Sequence, residues 1–168
     1  FTMIAMMTLL ILLWLTVTTT IAHVQSLSVP SVSSITRTKP WKFQGHDVFC
    51  QVSEPKPQHK NSKNKPAIIL IHGFGCSTAY WRETVASFTD AGFAVHAIDL
   101  LGQGLSAKPG KADGVQYSTS LWAQQVDTYA RDNLPSAANN NHVVLMGNSI
   151  GSLVALAAAT GDFVNQSS

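Results

Sequence analysis

The stretch that decides the fold runs from His142 to Thr160: His-Val-Val-Leu-Met-Gly147-Asn148-Ser149-Ile150-Gly151-Ser-Leu-Val-Ala-Leu-Ala-Ala-Ala-Thr. His142–Met146 predicts a strand, with Val143-Val144-Leu145-Met146 at its apolar centre. Ile150–Thr160 is rich in small and helix-forming residues and predicts a helix. Only a glycine-bounded turn joins them. A chain that passes so abruptly from strand to helix must hold Ser149 in a strained conformation, where side chains two positions to either side would collide. Glycine at 147 and 151 removes that collision. The turn lifts the Ser149 hydroxyl to the carboxyl edge of the sheet and aims the Ile150 N–H at the same spot. Strand, sharp turn and helix in this order are the context of a nucleophile elbow. A phosphate-cradling turn at a helix N-terminus is the competing reading, and no Lys follows the glycines as a P-loop requires.

Upstream, Ala67–Ile71 (Ala-Ile-Ile-Leu-Ile) predicts a central strand, broken by His72-Gly73-Phe74-Gly75. Gly73 and Gly75 let backbone approach a ligand closely, and the Phe74 N–H is the natural second donor, beside Ile150, for a developing oxyanion. Trp81, Val85 and Phe88 recur at helical spacing within Ala79–Ala91, and Gly92 can end that helix. Phe93–Ile98 predicts a second buried strand ending at Asp99. Leu100–Gly114 is a glycine-rich loop, and Ser118–Leu134 is a helix stopped by Pro135. His46–Ser53 alternates as a half-buried strand, and Glu54–Pro66, with three prolines and four lysines, is a loop. Trp81 and Trp122 read as core aromatics. Alternation of strand and helix calls for an α/β fold with a parallel sheet flanked by helices.

Ile-His-Gly-Phe-Gly (71–75), Tyr-Trp-Arg (80–82), Ala-Ile-Asp-Leu-Leu-Gly-Gln-Gly-Leu-Ser (97–106) and Gly-Asn-Ser-Ile-Gly (147–151) together resemble the α/β-hydrolase fold superfamily, AB hydrolase-1 type. Trp41-Lys42-Phe43 and Leu121-Trp122 extend the resemblance to plastid pheophytinase-like serine hydrolases, over about residues 41–160. The resemblance implies hydrolysis of a small-molecule carboxylic ester by Ser149, with no cofactor. Asp99 heads the Asp-x-x-Gly-x-Gly-x-Ser turn and is structural in that family. A C–C bond hydrolase of the same fold, or a non-catalytic ligand-binding protein, remains the alternative. Epoxide hydrolases and haloalkane dehalogenases place Asp where Ser149 stands. The fold supplies serine, acid and histidine in that chain order. After Ser149 the sequence has one acid, Asp162, and no His; all six histidines precede it, with His72, His96 and His142 reading as structural. Residues 41–168 therefore read as the N-terminal half of the hydrolase domain, incomplete, inactive alone, and left with an exposed apolar sheet edge prone to aggregation.

Composition agrees. Of 168 residues only 12% are charged, with 11 Lys+Arg against 9 Asp+Glu. Residues 1–66 carry seven basic and two acidic residues, whereas residues 67–168 carry four and seven. The globular part is thus mildly acidic, which argues against nucleic acid as a partner. Cys50 and Cys76 are too few for a disulfide framework and read as free, and no metal-ligand spacing occurs. Met3–Ala22 has no charge and an apolar centre at Leu9–Leu15. Residues 1–26 read as a secretory signal or a retained membrane anchor. Residues 27–40, rich in Ser and Thr and without acid, read as a transit-like segment or a linker, so entry to the secretory pathway and a two-part plastid address both stay open.

Overall fold

The computed structural model describes residues 35–57, 59, 62, 65–134 and 142–161. Residues 1–26, read above as a signal or an anchor, most of the segment 27–40, and Asp162 lie outside the described residues. Among those described, no helix is long and apolar enough to cross a membrane.

Five strands form one sheet: β1 (Ile35–Phe43), β2 (His46–Glu54), β3 (Ala67–Ile71), β4 (Val95–Ile98) and β5 (Val143–Gly147), in the order β1-β2-β4-β3-β5. Three helices accompany them: α1 (Arg82–Asp90), preceded by a 3₁₀ turn at Thr78–Trp81, α2 (Thr119–Asn133) and α3 (Ile150–Thr160). β4, β3 and β5 run parallel, as the alternation of strand and helix requires. β1 and β2 add an antiparallel pair, with β2 antiparallel to β4, so the sheet is mixed rather than wholly parallel. The reason is local. Gln44 and Gly45 both adopt positive φ, 50° and 83°, the two-residue primed turn that folds one strand back on the next. β1 also starts inside the stretch read as linker, six residues before Trp41. Its Thr, Arg, Lys and Pro content hides it, and Pro40 is tolerated because β1 is an edge strand that pairs with β2 alone among the described residues.

The side-chain period of two distributes β3 to both faces of the sheet. Ile69 and Ile71 pack with Leu100, Trp122, Val126, Tyr129 and Val154 beneath α2 and α3. Ile68 and Leu70 pack with Trp81, Val85, Val95 and Ala97 beneath α1. These four side chains of β3 are at most 3% exposed, which is why the run is continuously apolar. The expected helix from Ala79 divides into the 3₁₀ turn and α1, and the expected strand from Phe93 begins at Val95. α2 is capped by Ser118, whose Oγ accepts the Leu121 N–H. β5 is hydrogen-bonded to β3 only, among the described residues, and Val144, Leu153 and Leu156 are exposed beside it.

One buried polar contact gives the core a pH dependence. His96 of β4 bonds through Nδ1 to the Tyr129 hydroxyl at 2.9 Å. Burial, with Lys39 and Arg37 nearby, pushes its pKa down from 6.5 to about 4. Below pH 6.5 the unfolded chain takes up this proton and the folded chain does not, so stability is full above pH 6.5 and lost as pH falls to 4. The loss amounts to about 3 kcal/mol, from roughly 1.4 kcal/mol per pKa unit. Denaturant midpoints between pH 7 and 5 should fall for the wild type, and His96→Gln should flatten that slope.

Candidate active site

β3 and β5 lie side by side in register, Ile71 opposite Gly147. The loops that leave them therefore emerge together at the carboxyl edge, the edge where open α/β sheets bind ligands. Ser149 follows β5 with φ 55° and ψ −124°, and its hydroxyl makes no capping bond to α3. A serine at positive φ outside a simple turn stores on the order of 1–3 kcal/mol of strain, which the surroundings must hold in place. They do so by contact. A Cβ at Gly147 would come closer than 3.0 Å to the Gly151 carbonyl, and one at Gly151 closer than 3.0 Å to the carbonyls of Ile71 and His72. The start of α3 thus rests on the backbone at the end of β3. Asn148 N–H also donates to Ile71 O at 3.1 Å.

The His72–Gly75 loop meets this elbow through Gly73, where an added Cβ would lie 3.2 Å from both Ser149 Cβ and Asn148 Oδ1. Gly75 takes φ 72°, a conformation that glycine adopts freely. Phe74, between them, turns its side chain outward, 76% exposed. Ile150 opens α3, where the first N–H groups have no intrahelical acceptor. The structure therefore brings together Gly73, Phe74, Gly75, Gly147, Ser149, Ile150 and Gly151, all seven residues singled out from the sequence.

His72 and Asp99 also stand near this edge, with Nε2 3.9 Å from Oδ1 and both side chains fully buried. They are not the base and acid of a catalytic pair. His72 Nε2 accepts the Leu100 N–H at 3.1 Å, so its proton sits on Nδ1, which donates to Gly73 O at 2.7 Å. Neither nitrogen is left to receive a serine proton. Asp99 accepts Thr78 N–H at 2.6 Å on Oδ1 and Leu105 N–H at 2.7 Å on Oδ2, which ties the segment after β3 and the loop after β4 to one carboxylate. The structural role expected for Asp99 is what its contacts describe. His142 lies exposed at the foot of β5, at the opposite end of the strand from Ser149. Cys50 is buried and Cys76 half-buried, and both are free thiols; burial raises the Cys50 pKa to about 12.

Two surroundings escaped sequence reasoning. Beside the His72–Gly75 loop lies a pocket of about 440 Å³, lined by Phe74, Gly75, Leu101, Gln103, Lys108, Tyr117 and Trp122 among others. Trp122, expected only as core, both fills the core and walls this pocket, and its Nε1 donates to Leu101 O at 2.9 Å. Gln103 Oε1 accepts the Gly75 N–H at 2.7 Å, a link across 28 residues that no local pattern could announce. A smaller cavity of about 240 Å³ sits at the opposite end of the strands, near Arg37, Lys65, His96 and His142, away from Ser149.

The model of a family described as serine aminopeptidase, S33, matches residues 62–163. A probable lysophospholipase of Arabidopsis thaliana, BODYGUARD 5, is 35% identical over 122 residues, 67% of this chain and 26% of that protein. BODYGUARD 2 of the same plant is 39% identical over 66 residues, 37% of this chain and 13% of that protein. A pimeloyl-[acyl-carrier protein] methyl ester esterase of Vibrio parahaemolyticus is 46% identical over 43 residues, 26% of this chain and 16% of that protein. This chain therefore spans about a quarter or less of each of these relatives. Among solved structures, a thioesterase domain from the curacin biosynthetic pathway superposes with a TM-score of 0.61 at 25% identity, covering 76% of this chain and 40% of that one. An epoxide hydrolase of Vigna radiata superposes with a TM-score of 0.60 at 15% identity, covering 74% and 36%, and supports the fold alone. With the elbow, the His-Gly-Phe-Gly loop and the sheet order all in place, the chain belongs to the serine aminopeptidase S33 family of α/β-hydrolase-fold proteins.

Proposed function

We propose that Ser149 is the nucleophile of a serine hydrolase acting on carboxylic esters, and that the Phe74 and Ile150 N–H groups form its oxyanion hole. The observation that carries this is the strained backbone of Ser149, held against Gly73 at the edge where β3 and β5 end. The relatives' names, lysophospholipase and methyl ester esterase, favour ester bonds as the substrate class. A pheophytin-type ester is one member of that class.

The chemistry follows the geometry. Ser149 Oγ attacks the ester carbonyl carbon while its proton passes to a histidine base. The carbonyl π electrons move onto oxygen, and the two N–H groups stabilise that oxyanion. Collapse expels the alcohol, which takes the proton back from the imidazolium. Water then repeats the sequence on the acyl-enzyme and releases the acid. The base and its orienting carboxylate are proposed to come from sequence beyond Ser168, in keeping with the small share of its relatives that this chain spans.

Comparison of the 168-residue chain with the protein encoded by the complete reading frame tests the assignment. The complete protein should hydrolyse p-nitrophenyl butyrate and take up a fluorophosphonate probe at Ser149. The 168-residue chain should do neither above the buffer rate, because removal of base and acid leaves at most the residual catalysis of binding and oxyanion stabilisation. A complete protein that binds esters yet never reacts with the probe would instead indicate a ligand-binding role.

A further inference from the structure

The pocket beside the oxyanion loop has four polar side chains in its lining, and three have their donors turned to backbone carbonyls. Lys108 Nζ donates to Gly104 O at 2.7 Å and Ser106 O at 3.2 Å. Tyr117 Oη donates to Pro109 O at 2.6 Å, and Trp122 Nε1 to Leu101 O. Gln103 differs. The residue is 8% exposed, and its Nε2 is buried with no hydrogen-bond partner among the described residues. Its orientation is not free to reverse, because Oε1 accepts the Gly75 N–H at 2.7 Å and a flipped amide would set N–H against N–H. A buried donor left unpaired is costly, whereas supplying its acceptor recovers that cost.

The rest of the wall is apolar. Tyr117 and Trp122 stack with centroids 6.3 Å apart at 21°, Leu101 is buried beneath them, and Phe74 and Tyr117 stand exposed at the rim. Phe74 belongs to the loop that touches Ser149 through Gly73, so a chain lying in this pocket continues toward the site of attack. Pockets of this kind use an apolar surface for affinity and a few placed polar groups for orientation.

We propose that Gln103 is a specificity-determining residue, resting on the function proposed above. Oε1 fixes the Gly75 amide next to the oxyanion loop. Nε2 is closed to solvent in this structure; as the ester's chain enters the pocket it is uncovered and donates to an acceptor oxygen carried on the apolar part of the ester, a few bonds from the scissile carbonyl. The substrate class is thereby narrowed to esters whose chain bears an ether, hydroxyl or carbonyl oxygen.

Three acyl esters of equal length separate this from a purely loop-holding role: p-nitrophenyl pentanoate, 3-methoxypropanoate and ethoxyacetate. For each oxa-ester, kcat/KM is divided by the value for pentanoate, which cancels the amount of folded enzyme in any variant. Intrinsic reactivity cancels when variants are compared. In the complete protein, Gln103→Met removes both hands of the amide, and Gln103→Glu keeps an oxygen for the Gly75 N–H while removing the donor. Both variants should lower the ratio for at least one oxa-ester by about three- to tenfold, the effect of one neutral hydrogen bond. Wild-type ratios in either variant would overturn the proposal. Fluorophosphonate labelling of Ser149 in the wild type, measured alongside, keeps the two readings apart: labelling with unchanged ratios removes only the role of Gln103, and no labelling removes the nucleophile.

Discussion

Ser149→Ala should lower ester turnover by the complete protein by about 10⁴- to 10⁶-fold, the scale on which loss of a serine nucleophile removes a triad that acts as one unit. Fluorophosphonate labelling should vanish with it. Stability should change little, within about 0.5 kcal/mol, because the hydroxyl makes no capping bond and alanine keeps a Cβ at the same backbone angles. Ser149→Gly sharpens the point. Glycine relieves the strain at φ 55°, so this variant should be as inactive as alanine and yet more stable, by about 1 kcal/mol. Paired activity and denaturation measurements check both. A Ser149→Ala enzyme with more than a hundredth of wild-type turnover would dismiss the nucleophile.

Gly151→Ala should have the largest effect on folding. The added Cβ would fall 2.6 Å from His72 O and closer still to Ile71 O. Both atoms belong to or follow β3, which is hydrogen-bonded on each side by β4 and β5. Backbone held in that way cannot step aside as a flexible side chain would. Destabilisation of about 3 kcal/mol or more is expected, at the upper end for a single substitution. Gly110→Ala is the control. Its Cβ would meet nothing within 4 Å and its φ is negative, so stability should stay within about 0.5 kcal/mol. Urea midpoints of the two variants provide the comparison. Equal midpoints would mean that α3 does not sit on β3 as described.

The features readable from the sequence are those in which neighbouring residues carry the whole message. Gly147-Asn148-Ser149-Ile150-Gly151 announces a sharp turn because glycines and serine occupy fixed offsets, and β3 announces burial because all five of its residues are apolar. Asp99 was legible as structural through its glycine-rich motif, although its bond to Thr78 was not. What stayed hidden depends on partners far along the chain. β1 looks like a linker because its charged and proline residues suit an edge strand, and only its pairing with β2 reveals it. The same holds for Gln103, which reads as one more residue of a loop until Gly75, 28 positions earlier, is seen against it. The Trp122 wall forms only when α2 packs over the loop after β4. The antiparallel start of the sheet follows from Gln44-Gly45, a turn signal too short to weigh against the parallel pattern that comes after it.

The one-sided pairing of β5 bears on how firmly the proposed nucleophile is mounted. The strand that aims Ser149 is steadied by β3 alone among the described residues, with Val144, Leu153 and Leu156 left bare alongside. A neighbour laid along that flank would stiffen the mount and bring the elbow to its final bearing. If Ser149 is the nucleophile proposed above, the order of events follows: the hydroxyl is set on its turn first, and its full rigidity comes with whatever covers the flank. Under that proposal, such a delay would spare nearby esters until the mount is rigid.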